Sequence, residues 1–403
     1  MDHLPAGRRR GAGDRRHPRL LPRRPAAVPA RVRDAVATLS ATAAAGDGAG
    51  ATLADWTLAE RVGRWVAGLS GVDADVRDVA RLRAMVADAV RLADEPSRLA
   101  TGLGEGLEPA SARVVGRGEW IASNLASMRH LTDPHAATLL RRSTFPPAAS
   151  RKAVGIQVGL VFGYLSTRVL GQYEVFLPGG RTPGRLTLVG PNLLQVEREL
   201  AEGSDIDAEE LVRGVVLHEL GHRLQFEAVP WLRGHLRHII DDYLARTEID
   251  PERIRSGIAT LRHKVTSGQL DLRDLAEAFL SPEQAERLEE AQAVMSLLEG
   301  HGNVVMDWGA ELMDDGGIDP ARVRTALNAR RRSVSGPSKL VGKALGMGMK
   351  AAQYAVGETF ITDVADAHGR ATFNRVWEDP AHIPTADELT DPDAWAERVG
   401  RAA

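Results

Sequence analysis

The chain has 403 residues, a formal net charge of −3 at pH 7 and no cysteine. The lack of cysteine excludes disulfides, iron–sulfur clusters, cysteine-ligated zinc and thiol nucleophiles, so any metal must be held by His, Asp or Glu. Hydrophobic residues make up 43%, which is ordinary for a globular protein, whereas aromatic residues at 4% offer few stacking surfaces for nucleic acid. The length suits one large domain or two.

The charge is distributed unevenly along the chain. Residues 1–33 contain ten Arg and two Asp, a charge of +8, so the remaining 370 residues carry −11. Because this basic segment is rich in Pro, Ala and Gly, residues 1–50 are predicted to form a disordered leader and linker. A tail that attracts nucleic acid or membrane is the alternative. The acidic remainder argues against a nucleic-acid-binding protein.

No membrane span is predicted. The most apolar run, Ala153–Leu165, is too short for one, is interrupted by Gln157 and is soon followed by Arg168. Such a run is typical of a buried helix. Since no signal peptide is recognisable either, a cytoplasmic protein is expected.

The first predicted elements are helices. Asp55 is a predicted N-cap for a helix over Trp56–Leu69, and Asp73 for one that runs to about Leu92. A third helix is predicted from Pro109 to Leu131. The second helix also shows apolar residues at helical spacing: Val76, Val79, Leu82, Met85, Val86 and Val90.

The middle of the chain has a different pattern. Tyr173–Leu177 and Arg185–Val189 are rich in strand-forming residues, and the intervening Pro178–Gly184 predicts a hairpin. Helical patterns then continue almost to the end. Asp207 with Glu210 forms a predicted capping box.

The predicted fold is therefore mainly α with a small antiparallel β element. We divide the ordered part into an N-terminal helical region, residues 51–150, and a second region, residues 151–403. Residues 51–403 as one compact domain is the alternative.

One motif carries recognisable chemistry: His218-Glu219-Leu220-Gly221-His222. Two His four residues apart on a helix point to the same side and can share one metal ion. The intervening Glu can take a proton from a water on that metal, and zinc makes such a water acidic enough to ionise near neutral pH.

The surroundings of the motif favour metal binding. Apolar residues cover nearly every face of the predicted helix, which indicates a buried helix; they are Leu211, Val212, Val215, Val216, Leu217, Leu220, Leu224 and Phe226. Two His and a Glu are costly to bury without partners, and one cation would satisfy all three. The alternative is a pair of core His bonded to backbone or carboxylate groups. Gly221 indicates a close helix contact.

A third ligand must come from elsewhere. Gln225 and Ala228 stand where the metzincin pattern has Gly and His, which excludes that class. A carboxylate from another helix is a common solution, and Glu299 is the best candidate. At about 100° per residue it shares a stripe with apolar neighbours, so it is predicted to point inward. A solvated or ion-paired Glu299 is the alternative. The rival ligands are Glu227, Asp241 and Asp242.

Other polar residues near Glu299 have weaker assignments. His301 lies about 200° around the helix from Glu299, as expected for a core His. If the helix breaks at Gly300 and Gly302, His301 could instead reach the site and stabilise an oxyanion. Asp307 could orient a ligand His.

Two further segments contain candidate polar residues. Tyr354 lies in a predicted helix with polar residues along one side, and it is a candidate proton donor or oxyanion partner. Interhelical hydrogen bonding is the alternative. His235 and His238 are predicted to lie on a partly exposed face.

At these residues the chain resembles the zincin-like, zinc-dependent metallopeptidase family of actinobacteria, one branch of which is associated with biosynthesis of the deazaflavin coenzyme. The resemblance covers about residues 52–400. It rests on Asp55-Trp56, Trp120 with Asn124, Gly163–Ser166, Arg168–Tyr173, Leu188–Asn192, His218–Phe226, Val229–Arg233, Leu298–His301, Val305–Asp307, Lys350, Gln353-Tyr354 and Gly357-Glu358.

The resemblance implies a zinc site built from His218, His222 and Glu299, with Glu219 as general base. It also implies a mainly helical fold with a small β element near the active-site helix. Residues 1–50 have no counterpart. The expected function is a zinc-dependent hydrolase that acts on a peptide or other amide. The alternatives are a metal-stabilised binding or scaffold protein without turnover, associated with coenzyme biosynthesis, and a helical interaction protein without metal.

Overall fold

The fold was analysed in a computed structural model. It describes residues 52–69, 76–143, 146–180, 182–201, 206–246, 282–313, 318–325 and 350–401, which belong to one compact unit, Gly48–Ala403. The predicted leader, residues 1–50, and the predicted cap Asp73 lie outside the described residues.

The described part of the chain is mainly helical, as predicted. The helices are α1 (Trp56–Gly68), α2 (Val76–Thr101), α3 (Arg117–Thr132), α4 (Ala136–Arg141), α5 (Pro147–Leu165), α6 (Gly190–Ala201), α7 (Ala208–Ala228), α8 (Leu232–Arg246), α9 (Pro282–Glu311), α10 (Lys350–His368), α11 (Arg370–Asn374) and α12 (Pro392–Arg401). The strands are β1 (Ala112–Val115), β2 (Gly171–Glu174) and β3 (Arg185–Val189).

The strands form one sheet in the order β1-β3-β2. β2 and β3 pair antiparallel with Tyr173 opposite Leu186, which confirms the predicted hairpin pairing. The first strand covers Gly171–Glu174, however, rather than the predicted Tyr173–Leu177. β1 adds a parallel strand with Val114 opposite Leu188, so the sheet is mixed rather than purely antiparallel. The helix predicted from Pro109 was therefore wrong over Ala112–Val115, because pairing with a distant strand decides this segment.

Two predicted helix starts are confirmed by their caps. The Asp55 carboxylate accepts from the Leu58 backbone N–H at 2.9 Å, and Asp207 accepts from Glu210 N–H at 2.7 Å. These bonds satisfy donors that lack an intrahelical partner. The Glu210 side chain accepts from the Asp319 backbone N–H, so it ties α7 to a later segment.

The apolar run Ala153–Leu165 lies in α5, which packs on α1 through glycine. A Cβ atom at Gly159 would lie 2.5 Å from the Ala59 carbonyl oxygen, so only glycine permits this approach. Over the described ranges, no helix has the length and apolar character that a bilayer crossing requires.

The buried helix α7 lies at the centre of the described fold. It packs against α2, α9 and the sheet, and Leu217 and Leu220 are fully buried. α9 in turn packs closely on α10, where a Cβ at Gly357 would overlap the carbonyl oxygen of Ser296. Sheet, α7 and α9 therefore meet around the His-Glu motif, and α7 is buried, as its apolar pattern predicted.

Candidate metal centre

α7 presents both motif His on one side. The ring centroids of His218 and His222 are 4.9 Å apart, with the ring planes almost perpendicular at 89°. Four residues span slightly more than one helical turn, so neighbouring side chains on this face can approach the same point.

α9 brings a carboxylate to the same point. Ligand atoms of His218, His222 and Glu299 all lie within 4.8 Å of one another, and Nε2 of His218 is 3.8 Å from Oε2 of Glu299. Glu299 thus points inward, as its helical position predicted. Two imidazoles and a carboxylate are a donor set of catalytic zinc sites, so these residues fit such an ion.

Glycines make room for this convergence. A Cβ at Gly302 would lie 2.8 Å from Cε1 of His218, and one at Gly221 would lie 3.2 Å from the Cα atom of Gly302. The close contact predicted from Gly221 is therefore present. This close contact between α7 and α9 allows Glu299 to approach His218 and His222.

Gly302→Ala is expected to displace the His218 ring and weaken zinc binding by about 10-fold to 100-fold, the range seen when ligand orientation is disturbed. A chelator-competition titration measures this affinity. Gly234→Ala is the matched control, since Gly234 is an exposed helical residue and a Cβ there meets nothing within 4 Å. Equal zinc affinity in both variants would contradict the proposed fit.

Glu219 lies beside the ligands with an unused acceptor. Its Oε2 atom is buried and has no hydrogen-bond partner among the described residues, while the carboxylate accepts from the backbone of Tyr173. Burial raises the pKa of Glu219 to about 7, against the opposing effect of His222. A Cβ at Gly171 would lie 2.7 Å from Cγ of Glu219, so β2 also requires glycine here.

His222 is held from behind by a residue that the sequence did not single out as functional. Nδ1 of His222 lies 3.0 Å from Oε1 of Gln225, a fully buried residue one turn further along α7. Burial tends to lower the pKa of His222, but the carboxylates of Glu299 and Glu219 and the bond to Gln225 raise it overall. Gln225 had appeared only as a departure from the metzincin pattern.

His301 is fully buried, as expected for a core His. Its Nδ1 lies 2.9 Å from Nε2 of Gln225, and its ring contacts those of Phe373 and Trp377. Burial lowers the pKa of His301 to about 3, which keeps the ring neutral. α9 runs unbroken through Gly300 and Gly302, so the helix break that would bring His301 to the site does not occur.

Two further candidates, Asp307 on α9 and Tyr354 on α10, are not placed at the His–His–Glu site by the described side chains. Oδ2 of Asp307 accepts from Arg324 at 2.8 Å, and Oδ1 has no partner in the described ranges. The structure therefore places Asp307 in an ion pair, and the suggestion that it orients a ligand His is not supported. Arg324 also binds Glu358 at 3.0 Å. Tyr354 lies in α10, but its side chain is outside the described part of the structure.

The rival ligands that the structure describes in detail have other partners. Glu227 accepts from the Tyr173 hydroxyl at 2.5 Å and from Arg233 at 2.8 Å. Asp241 binds His135 and Arg237. His238 on α8 is exposed and His235 is half-buried, which matches the predicted partly exposed face.

Comparison with known proteins points to the same chemistry. The sequence profile of a family described as zincin-like metallopeptidase matches residues 54–396. A solved structure from Chloroflexus aurantiacus, described as a "putative hydrolase with a novel fold", is similar over 87% of this chain and 99% of its own, at 28% sequence identity and a TM-score of 0.61. No functionally curated protein matches the sequence significantly. Since the family match covers most of the chain and includes the whole site, this chain belongs to the zincin-like metallopeptidase family.

Proposed function

We propose that the protein is a zinc-dependent hydrolase of peptide or other amide bonds. His218, His222 and Glu299 would hold the metal, and Glu219 would act as general base. The observation that carries the proposal is the convergence of three ligand atoms within 4.8 Å, beside a buried carboxylate oxygen that has no hydrogen-bond partner in the described ranges. Family membership supports the coarser statement, a metallohydrolase.

Zinc in this site would supply a positive charge that polarises a carbonyl group and favours ionisation of water near neutral pH. The rest of the chemistry belongs to the chain. Oε2 of Glu219 can accept a proton from the attacking water and return it to the leaving nitrogen. The backbone of Tyr173 holds the carboxylate in place, and Oε2 has no hydrogen-bond partner among the described residues.

An exposed strand edge of the β2–β3 hairpin could in principle accept an extended substrate by strand addition. β2 does form one edge of the sheet. The Tyr173 backbone already binds Glu219, however, and the Val175 carbonyl accepts from Arg233. These contacts do not favour strand addition at β2.

Purified full-length protein, prepared without chelator, is expected to contain about one equivalent of zinc, because binding to a preformed His–His–Glu site is favourable. Elemental analysis measures the metal, and a peptide-library cleavage assay tests turnover. Less than about a tenth of an equivalent, with no recovery on adding zinc, would contradict the proposal and favour a helical interaction protein without metal.

The second candidate is a metal-stabilised binding protein without turnover. Such a protein would take part in deazaflavin-coenzyme biosynthesis, the process with which one branch of the similar family is associated. Zinc in such a protein would have no vacant position. Stoichiometric zinc without cleavage of any peptide or amide substrate, together with loss of the coenzyme in cells that lack the protein, would favour it. The buried oxygen of Glu219, which has no partner in the part of the chain that the structure describes, favours the hydrolase, since a purely structural site gains nothing from it.

A further inference from the structure

We propose that Gln225 is a positioning residue that fixes the tautomer of His222, and that the Leu298 carbonyl and His301 fix the orientation of Gln225. The proposal rests on the proposed function in one respect, the use of His222 as a metal ligand. It concerns how α9 prepares that ligand before any metal arrives. Gln225 would thus connect the two helices that supply the site.

The Leu298 carbonyl determines which way the Gln225 amide points. Nε2 of Gln225 lies 2.9 Å from the Leu298 oxygen. A carbonyl oxygen accepts hydrogen bonds only, so the amide nitrogen must face it; the flipped amide would bring two oxygens together. The main chain of α9 therefore selects the orientation of the amide, and His301, which faces the same amide nitrogen, helps to hold it.

This orientation assigns a proton on each imidazole. Oε1 of Gln225 can only accept, so Nδ1 of His222, 3.0 Å away, must carry a proton and donate it. The Nε2 lone pair of His222 is then available for a cation. The second amide N–H faces Nδ1 of His301 at 2.9 Å, so this nitrogen must accept and the His301 proton resides on Nε2.

The surroundings of His301 agree with that assignment. Nε2 of His301 is buried and has no hydrogen-bond partner among the described residues. The imidazole makes a T-shaped contact with the Trp377 ring at 4.9 Å and stacks on Phe373 at 5.8 Å. No donor among the described residues faces Nε2, so nothing there requires a lone pair.

The first test reads the tautomers directly. Long-range 1H–15N spectra of metal-free protein labelled in His, recorded at a pH at which both rings are neutral, are expected to show His222 protonated on Nδ1 alone and His301 on Nε2 alone. The signals are assigned by their loss in His222→Gln and His301→Phe. His222 protonated on Nε2, or His301 on Nδ1, would overturn the proposal. This test needs neither zinc nor turnover, so failure of the hydrolase proposal leaves its reading intact.

The second test measures zinc affinity by chelator competition. Gln225→Met keeps the approximate size but removes the amide, and zinc affinity is expected to fall by about 10-fold to 100-fold, as for other partners of metal-binding His. A far-UV spectrum and thermal unfolding confirm that the variant folds. A folded Gln225→Met protein with wild-type zinc affinity would overturn the proposal.

Two variants of His301 separate hydrogen bonding from packing. Asn places an oxygen near the position of Nδ1 and can accept from Gln225, whereas Phe keeps a ring between Phe373 and Trp377 but offers no acceptor. We expect His301→Asn to bind zinc more tightly than His301→Phe, although His301→Phe fills the core better and should be the more stable. Zinc affinities that follow the order of stability would indicate a packing role alone and contradict the proposal.

Discussion

Glu219→Gln is expected to lower the kcat of hydrolysis by about 10²-fold to 10⁴-fold while zinc still binds, since that range is typical of a general acid–base residue. The amide cannot take the proton from water. Its size matches the carboxylate, and because burial raises the pKa of Glu219 to about 7, a neutral side chain suits this position in the metal-free protein. The variant should therefore fold.

The measurement is single-turnover cleavage of the best peptide from the library, with zinc content determined on the same sample. Glu311→Gln is the matched control, because Glu311 is an exposed carboxylate on α9 that only approaches Arg370 at 3.8 Å. A Glu219→Gln protein that keeps both its zinc and its full activity would remove the proposed mechanism. If activity and zinc content fall equally, the substitution has damaged the metal site, and the loss of activity does not support Glu219 as the general base.

The central helix could be predicted because its signal is local. Apolar residues around the whole circumference of α7, and the Asp207 cap, depend on sequence neighbours alone. The strand β1 could not be predicted in this way. Ala112–Val115 is short and alternates only weakly in burial, and its extended form depends on pairing with β3, more than 70 residues later. A helix was the wrong prediction there because the deciding contact is not local.

The same distinction between local and distant contacts applies to the residues of the metal site. Helical periodicity predicted the inward direction of Glu299, and the convergence with His218 then required only that two helices meet. The role of Gln225 could not be found from the sequence, because a buried amide becomes informative only when the Leu298 carbonyl and His301 face it. A polar residue between Leu224 and Phe226, three positions after His222, was the one available signal.

The sequence identified His301 as a candidate, but the role that it suggested beside a core position, direct stabilisation of an oxyanion, differs from the one that the structure supports. Its position opposite Glu299 predicted a core His, and the structure buries it completely. Its influence on the site passes through Gln225 and needs no break in α9. Direct contact with substrate would require the ring to leave Phe373 and Trp377, which would expose buried aromatic surface.

The third ligand gives the sharpest test of the metal centre. Glu299→Gln is expected to weaken zinc binding by more than about 100-fold, beyond the range for partners that only orient a ligand. The amide keeps the shape of the side chain but removes the negative charge that faces Nε2 of His218 across 3.8 Å. Chelator competition on the folded variant measures the loss, and Glu311→Gln on the same helix should bind zinc as the wild type does.

The rival carboxylate Glu227 provides a second comparison. It accepts from Tyr173, Gly184 and Arg233, so Glu227→Gln should lower the free energy of unfolding and leave zinc affinity nearly unchanged. If Glu227→Gln instead loses zinc and Glu299→Gln keeps it, the third ligand comes from α7 itself. In that case the approach of α9 through Gly302 would serve packing alone, and the His–His–Glu site proposed across two helices would be wrong.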